Sequence, residues 1–321
     1  MAGQARQLLL GPLLAASEEI LIGGQAVIEG VMMRAPQSFA VAVRRPSGAL
    51  AVTQDCVRRP ADKHRIFKVP IFRGLGTLGQ ALVLGVRALH YSAQQALEES
   101  EDAPDKKAKL SGWVLALNLA FSIGFFVVFY KFLPLYLATL AKEHHPVVGN
   151  LIVFNLLDGT IRLVLFLVLL IALAQWKDIQ RLFAYHGAEH KVVWAYEKGG
   201  PVDIPTARGC SCFHPRCGTS FLLVVMGVAL VVYLFLPFQS FAAKFVWRLL
   251  LLPVIAGLSY EFIRFAARKQ GWLWRWAAAP GLWLQRVTTR EPDDSQLETA
   301  IKALETTMEL ERSRGGQPVI A

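Results

Sequence analysis

The chain has 321 residues, of which 54% are hydrophobic and only 18% charged, with a mean hydropathy of +0.39. Long apolar runs and a charge content below the usual ~25% place it among membrane proteins. The net charge of +10 does not point to nucleic acid, because the Lys and Arg flank apolar runs instead of forming a stripe interleaved with aromatics.

Residues 1–21 open with Arg6 and the run Leu8-Leu9-Leu10-Gly11-Pro12-Leu13-Leu14-Ala15-Ala16-Ser17, which resembles a short signal peptide. Cleavage there would export a strongly basic segment against the positive-inside rule, so 1–21 is read as an N-terminal segment. Residues 22–70 change to short extended runs. Gln37 to Arg44 and Ala49 to Thr53 flank Arg45-Pro46-Ser47-Gly48 and predict a hairpin within a small β-rich cytoplasmic subdomain. Ahead of it, Gly23 to Arg34 carries glycines that suggest close backbone approach. Glu29 and Arg34 in this stretch could face a common site, or form a surface ion pair.

Residues 71–110 hold a helical stripe, Leu75, Leu78, Leu82, Val86, Leu89, Ala93 and Leu97, followed by a charged linker from Glu98 to Lys109. Arg73 and Arg87 leave too short an uncharged stretch for the ~20 residues of a span, so this helix is expected to lie on the membrane. Residues 111–267 form the expected transmembrane domain, with apolar runs at about 111–141, 148–174, 218–240 and 245–267. The connections after the first and third runs carry little charge. The other connections are basic, which places both termini and the 175–217 connection on the cytoplasmic side.

Two charges four residues apart, Asp158 and Arg162, lie inside the second run and can pair along one helix face. Glu261 and Arg264 near the end of the fourth run can be read as a helix-end pair, or as an acid pointing at a site. In residues 268–321, Trp272, Trp274, Trp276 and Trp283 with Arg275 and Arg286 suggest an interfacial segment. Ser295-Gln296-Leu297-Glu298 reads as a capping box for a short amphipathic helix through Leu297, Ile301, Leu304 and Met308.

The chemistry concentrates in Tyr185-His186-Gly187-Ala188-Glu189-His190-Lys191. On a helix, a spacing of four puts His186 and His190 on one face, about a turn apart, where they can share a divalent metal. H-x-x-E-H is the inverted zincin motif, in which Glu189 would be the general base. The alternative is a juxtamembrane helix whose imidazoles bond to lipid phosphates, neighbouring helices or water. The second span is read as continuing straight through this motif to Glu197. A flexible return through Gly199, Gly200, Pro201 and Pro205 could then bring His214 and Cys217 back against this helix. Cys217 stands where the third span begins, and a helix N-terminus favours the metal-binding thiolate. His214 or Cys217 could complete the first shell; three protein ligands would make an open, catalytic site and four a closed, structural one. Cys210, Cys212, His214 and Cys217 could also form a zinc knuckle by themselves. Four Cys, three of them bunched, do not read as a disulfide framework in a reducing compartment.

Gly24 to Arg34, Tyr185 to Lys191, His214-Pro215-Arg216-Cys217-Gly218-Thr219-Ser220-Phe221 and Thr288-Thr289-Arg290-Glu291-Pro292-Asp293-Asp294 occur in that order. In these four blocks the chain resembles the DUF1385 family, also called the YqhQ-like family. The resemblance implies a bacterial multi-pass membrane protein predicted to be a metal-dependent enzyme. It includes Asp158 and Arg162 as family positions and leaves out Cys210 and Cys212. The expectation is therefore a mainly α membrane protein of four transmembrane helices, with a small N-terminal β-rich subdomain and amphipathic interfacial helices, in the bacterial cytoplasmic membrane. It is expected to be a zinc-dependent hydrolase of the cytoplasmic face, acting on a peptide or lipid-linked substrate. Its expected partners are the lipid bilayer and other membrane proteins or a second copy of itself. The rival readings are a non-enzymatic scaffold for membrane-protein assembly and a transporter using Asp158, Arg162 and Glu261.

Overall fold

The computed structural model describes residues 22–58, 60–97, 112–238, 240–267 and 272–314. The signal-like run in 1–21, the charged linker, and the side chains of Trp272, Trp274, Arg275 and Trp276 lie outside the described residues.

Four antiparallel strands form a meander in the order β1 (Gly23–Val27), β2 (Gly30–Arg34), β3 (Ser38–Arg44) and β4 (Leu50–Cys56). The expected β3–β4 hairpin is present, with Arg44 opposite Leu50 and Gly48 at φ 86° in the turn. Gly23 to Arg34, whose glycines suggested close approach, folds as a second hairpin. Its turn is Ile28-Glu29, and Gly30 closes it because a Cβ there would lie 2.2 Å from the Ala42 carbonyl oxygen.

The central strands β2 and β3 read as nearly continuous apolar runs because both faces of the sheet are covered there. On one face Val27, Met32, Phe39, Val41 and Val43 pack against Leu84 and Ala88 of α1 (Phe72–Leu97). The opposite face, with Val31, Met33 and Ala42, packs on α5 (Lys177–Glu197) and α11 (Asp294–Ser313) through Tyr185, Ala188, Val192, Leu297, Ala300 and Leu304. The C-terminal helix starts two residues earlier than its expected cap. Asp293 accepts from the Gln296 backbone at 2.9 Å while the Gln296 side chain accepts from the Asp293 N–H at 3.0 Å, so the capping box is Asp293 with Gln296 rather than Ser295 with Glu298.

The apolar half is less regular than four straight spans. Helix α2 (Gly112–Val127) runs through a π turn (Val128–Phe132) into α3 (Leu133–His144), and α4 (Leu151–Leu173) follows. Two helices, Ala120–His144 and Leu151–Leu173, are long and apolar enough to cross a membrane. After α5 and the short helix α6 (Ile204–Arg208), the third expected run gives α7 (Gly218–Leu234), which ends short of 240 because Pro237 disfavours helix in the residue before it. The fourth is broken into α8 (Phe241–Leu250) and α9 (Leu252–Ala267), bent by 50°. Pro253 supplies the cause, since it lacks the N–H that would continue the ladder. Counted as one unit, the bent pair makes a third candidate crossing. Helix α10 (Trp272–Thr288) packs on α7 so closely that a Cβ on Gly281 would lie 2.3 Å from the Ser220 hydroxyl.

Asp158 and Arg162 pair at 2.8 Å as the spacing predicts, and a second guanidinium joins them from α8. Arg248 donates to Asp158 at 2.7 Å and to Asn155 at 2.9 Å, and it stacks on the buried Tyr233 ring at 4.7 Å. Lys131 donates to the Tyr233 hydroxyl at 3.2 Å. One carboxylate thus serves two buried guanidinium groups and ties α4 to α8. Asp158→Asn should destabilise the protein by about 3 kcal/mol or more, since removing one partner strands buried charge. Thermal unfolding in detergent measures this, and an unchanged midpoint would contradict it.

Candidate metal centre

The motif helix is a separate element, not the continuation of the second span. Helix α4 stops at Leu173, and α5 begins after Trp176, whose backbone is extended at φ −76° and ψ 135°. The break holds because other groups take the place of the missing ladder. The Ala174 carbonyl accepts from the Gln180 side chain at 3.2 Å and from Arg290 at 3.4 Å, placing a cation at the negative end of α4.

Within α5, His186 and His190 lie one turn apart with ring centroids 4.4 Å from each other. Each uses Nδ1 on a backbone carbonyl: His186 on Thr288 at 2.7 Å and His190 on Cys212 at 2.5 Å. A carbonyl oxygen can only accept, so both Nδ1 atoms carry a proton, and in the neutral form of each ring the lone pair lies on Nε2. The Nε2 of His190 is buried and without a hydrogen-bond partner among the described residues, while that of His186 lies 3.2 Å from Cys217 Sγ. Cys217 caps α7, and its sulfur receives the Thr219 N–H at 3.4 Å. The ligand atoms of His186, His190 and Cys217 lie within 4.8 Å of one another. Imidazoles oriented by backbone carbonyls and a thiol at a helix start make a donor set that could hold a metal ion.

Glu189 is buried beside this group, and its side chain lies on the β1 backbone. A Cβ on Gly24 would meet Glu189 Cγ at 2.7 Å, so only glycine fits there. Burial raises the Glu189 pKa, opposed by the His186 and His214 imidazoles and by hydrogen bonding from the Gly24 backbone. Glu189, both motif histidines and Cys217 line one cavity of about 480 Å³.

His214 lines the same cavity but its ring nitrogens are engaged elsewhere. Its Nδ1 accepts the Arg216 N–H at 3.3 Å, its Nε2 faces Glu197 at 3.3 Å, and Gln285 brackets its backbone with bonds of 2.8 and 2.9 Å. Burial lowers its pKa, with Glu189 acting in the opposite direction. The structure thus brings Cys217 to the histidine pair and keeps His214 outside that group. The zinc-knuckle arrangement does not form among the described residues. Cys210 bonds to the Thr206 carbonyl at 3.4 Å, and Cys212 donates to Glu291 at 3.2 Å. The Cys212 pKa is pushed up to about 12, first by burial and then by Glu291.

The remaining expected residues fall elsewhere. Glu29 and Arg34 do not share a site, because the hairpin register pairs Gly23 with Arg34 at one end and puts Glu29 in the turn at the other. Glu29 is ion-paired with Arg181 and accepts from the Tyr185 hydroxyl at 3.3 Å. Arg34 donates to Gln80 at 2.5 Å. Glu261 pairs with Arg73 of α1 through bonds of 3.1 and 2.5 Å, and it does not line the metal-site cavity.

Gly187 and the 288–291 segment carry an unanticipated role. The Arg290 N–H donates to the Phe183 carbonyl at 2.9 Å, and a Cβ on Gly187 would lie 2.1 Å from the Arg290 oxygen. Lys191 reaches Glu291 at 2.5 Å and holds the segment further along. A glycine between two histidines of a helix is the local sign of this approach.

The fold and site together define a mainly helical protein with two to three candidate membrane crossings, a small antiparallel sheet and a His/His/Cys group beside a buried carboxylate. The family described as "Protein of unknown function (DUF1385)" matches residues 69–310, and the chain belongs to that family. The chain is 32% identical over 297 residues to "Uncharacterized protein YqhQ" of Bacillus subtilis (strain 168), covering 90% of this chain and 92% of that protein. No solved structure matches it.

Gly187→Ala should push the Arg290 backbone away and cost about 1–3 kcal/mol of stability, the usual range for overpacking. Thermal unfolding in detergent reads the loss, and wild-type stability would refute the close approach.

Proposed function

We propose that this chain is a zinc-dependent hydrolase of the cytoplasmic membrane face, acting on a peptide or lipid-linked substrate. The observation that carries the reading is the convergence of two Nε2 lone pairs and one sulfur beside the buried Glu189. In this reading α2 with α3, α4, α7 and the bent pair α8 with α9 make four crossings. An even number returns the chain to its starting side, so the sheet, α5 and α11 all meet at the cytoplasmic surface, where the basic connections belong.

His186, His190 and Cys217 would hold the ion, which when bound would supply a Lewis acid that lowers the pKa of water. The carbonyls of Thr288 and Cys212 keep both rings turned toward it. Glu189 takes the proton of the attacking water, and its raised pKa brings the carboxylate nearer the range in which a general base works. The Gly24 backbone and the sheet behind it hold that carboxylate in place and limit its contact with bulk water.

Elemental analysis of purified protein should find zinc in the wild type and in His214→Ala, and little in His186→Ala, His190→Ala or Cys217→Ser. Retention of zinc by both single histidine variants would remove the assignment. Glu189→Gln should keep the metal but fail to complement a deletion strain, with turnover down by about 10²–10⁴-fold. Normal complementation by Glu189→Gln would instead favour the scaffold with a structural metal.

A further inference from the structure

A second cavity of about 670 Å³ adjoins the first, and the two share Ile22, Gly23, Gly24, Gln25 and Arg216 as walls. Four guanidinium groups line it: Arg34 from β2, Arg73 from α1, Arg216 from the segment before α7, and Arg264 from the last turn of α9. Among the described residues no acidic side chain lines it. The carboxylates that pair with two of these arginines, Glu261 with Arg73 and Glu197 with Arg216, are not part of the wall. The rest of the lining is mostly apolar, with Met32, Phe67, Leu84 and Tyr260 the larger side chains, and Gln25, Thr77 and Gln80 add uncharged polar groups.

The position of the cavity says what such a ligand is attached to. Helix α9 belongs to the bent apolar pair and exposes Val254, Leu258, Phe262 and Phe265, while α1 exposes Leu82, Val83, Val86 and Leu89. The ion pair between Arg73 and Glu261 joins these helices at the cavity, where the apolar run of α9 gives way to charge. With α9 read as part of a crossing, that is the depth of lipid headgroups, at which arginines meet phosphate and apolar side chains meet acyl chains. Planar guanidinium groups suit phosphate oxygens, and the volume falls in the range of sites that enclose a small ligand.

We propose that this cavity binds the phosphate headgroup of an anionic membrane lipid, and that the substrate class of the neighbouring metal site is therefore a phosphate-bearing lipid amphiphile. The second clause rests on the hydrolase reading; the first does not. Arg34 and Arg264 grip the phosphate from opposite walls, β2 and α9. Gly23 and Gly24 leave the shared wall without side chains, so the rest of the headgroup can reach past β1 toward Glu189 and the histidine pair.

The test uses the full chain in neutral detergent, with intact-complex mass spectrometry after addition of phosphatidic acid, phosphatidylglycerol or phosphatidylcholine. The wild type should retain the two anionic lipids, and the double variant Arg34→Gln with Arg264→Gln should weaken that retention by about tenfold or more, equivalent to about 1.4 kcal/mol. Arg312→Gln, an exposed arginine of α11, should leave it unchanged. Equal retention of phosphatidylcholine, or an unaffected double variant, overturns the proposal. Displacement of lipid by inorganic phosphate at similar concentration overturns it too, because the site would then be one for free phosphate. If the double variant does not fold, photo-crosslinking of the wild type with a headgroup-labelled phosphatidic acid decides: labelling within 73–84 or 260–264 supports the site, and labelling elsewhere refutes it. Zinc content and Glu189-dependent turnover are read on the same preparations. Their survival without lipid selectivity removes only the lipid site, and their absence with lipid selectivity removes only the hydrolase.

Discussion

Two backbone carbonyls, those of Thr288 and Cys212, decide what the imidazoles of α5 can do. Each takes the Nδ1 proton of one histidine, so each ring is left with a lone pair on Nε2 and a fixed orientation. Neither carbonyl is near its histidine in sequence. The structure must therefore fold the 288–291 segment and the 210–217 loop onto α5, and most of the half that carries the sheet can be understood as doing that. Gly187 lets the Arg290 backbone touch the helix, and Lys191 pairs with Glu291. Gln285 fixes His214 and hence the loop leading to Cys217.

The membrane half serves the same end by supplying the cysteine and a rigid base. Cys217 is positioned by being the cap of α7, and α7 is positioned by Tyr233 inside the polar cluster of Lys131, Asp158, Arg162 and Arg248. A buried carboxylate with two guanidinium partners is a poor source of net stability but a strong source of register, since any slip of α4 against α8 strands a charge. The His/His/Cys group at one end of α7 and charge pairing at the other thus constrain the same helix.

Local features were legible in the sequence and long-range ones were not. The apolar runs, the β3–β4 hairpin, the Asp158–Arg162 pair and the i, i+4 face of His186 and His190 follow from spacing alone, and all are present. The 50° bend was written in Pro253, but mean hydropathy over a window hides a single proline. The break between α4 and α5 was invisible because its cause, carbonyls satisfied by Gln180 and Arg290, depends on tertiary contact. Arg248 joins Asp158 from ninety residues away, so no periodicity announces it. The same holds for Glu261, which prefers Arg73 to its neighbour in sequence. Choosing between His214 and Cys217 required the placement of Glu197 and Gln285, side chains whose roles only the folded loop defines.

The edge strand β1 draws these threads together. An edge strand ordinarily exposes unpaired backbone groups and is guarded by charge or covered by another element. Here one stretch of that edge, Gly23 and Gly24, is the wall between a cavity of three histidines, a cysteine and a glutamate and a cavity of four arginines. A side chain at Gly24 would strike Glu189 at 2.7 Å, whereas at Gly23 nothing lies within 4 Å of the missing Cβ. The first glycine is therefore open space and the second is contact. Gly23 is exposed at the start of the strand, so packing among the described residues requires glycine only at the second position, Gly24.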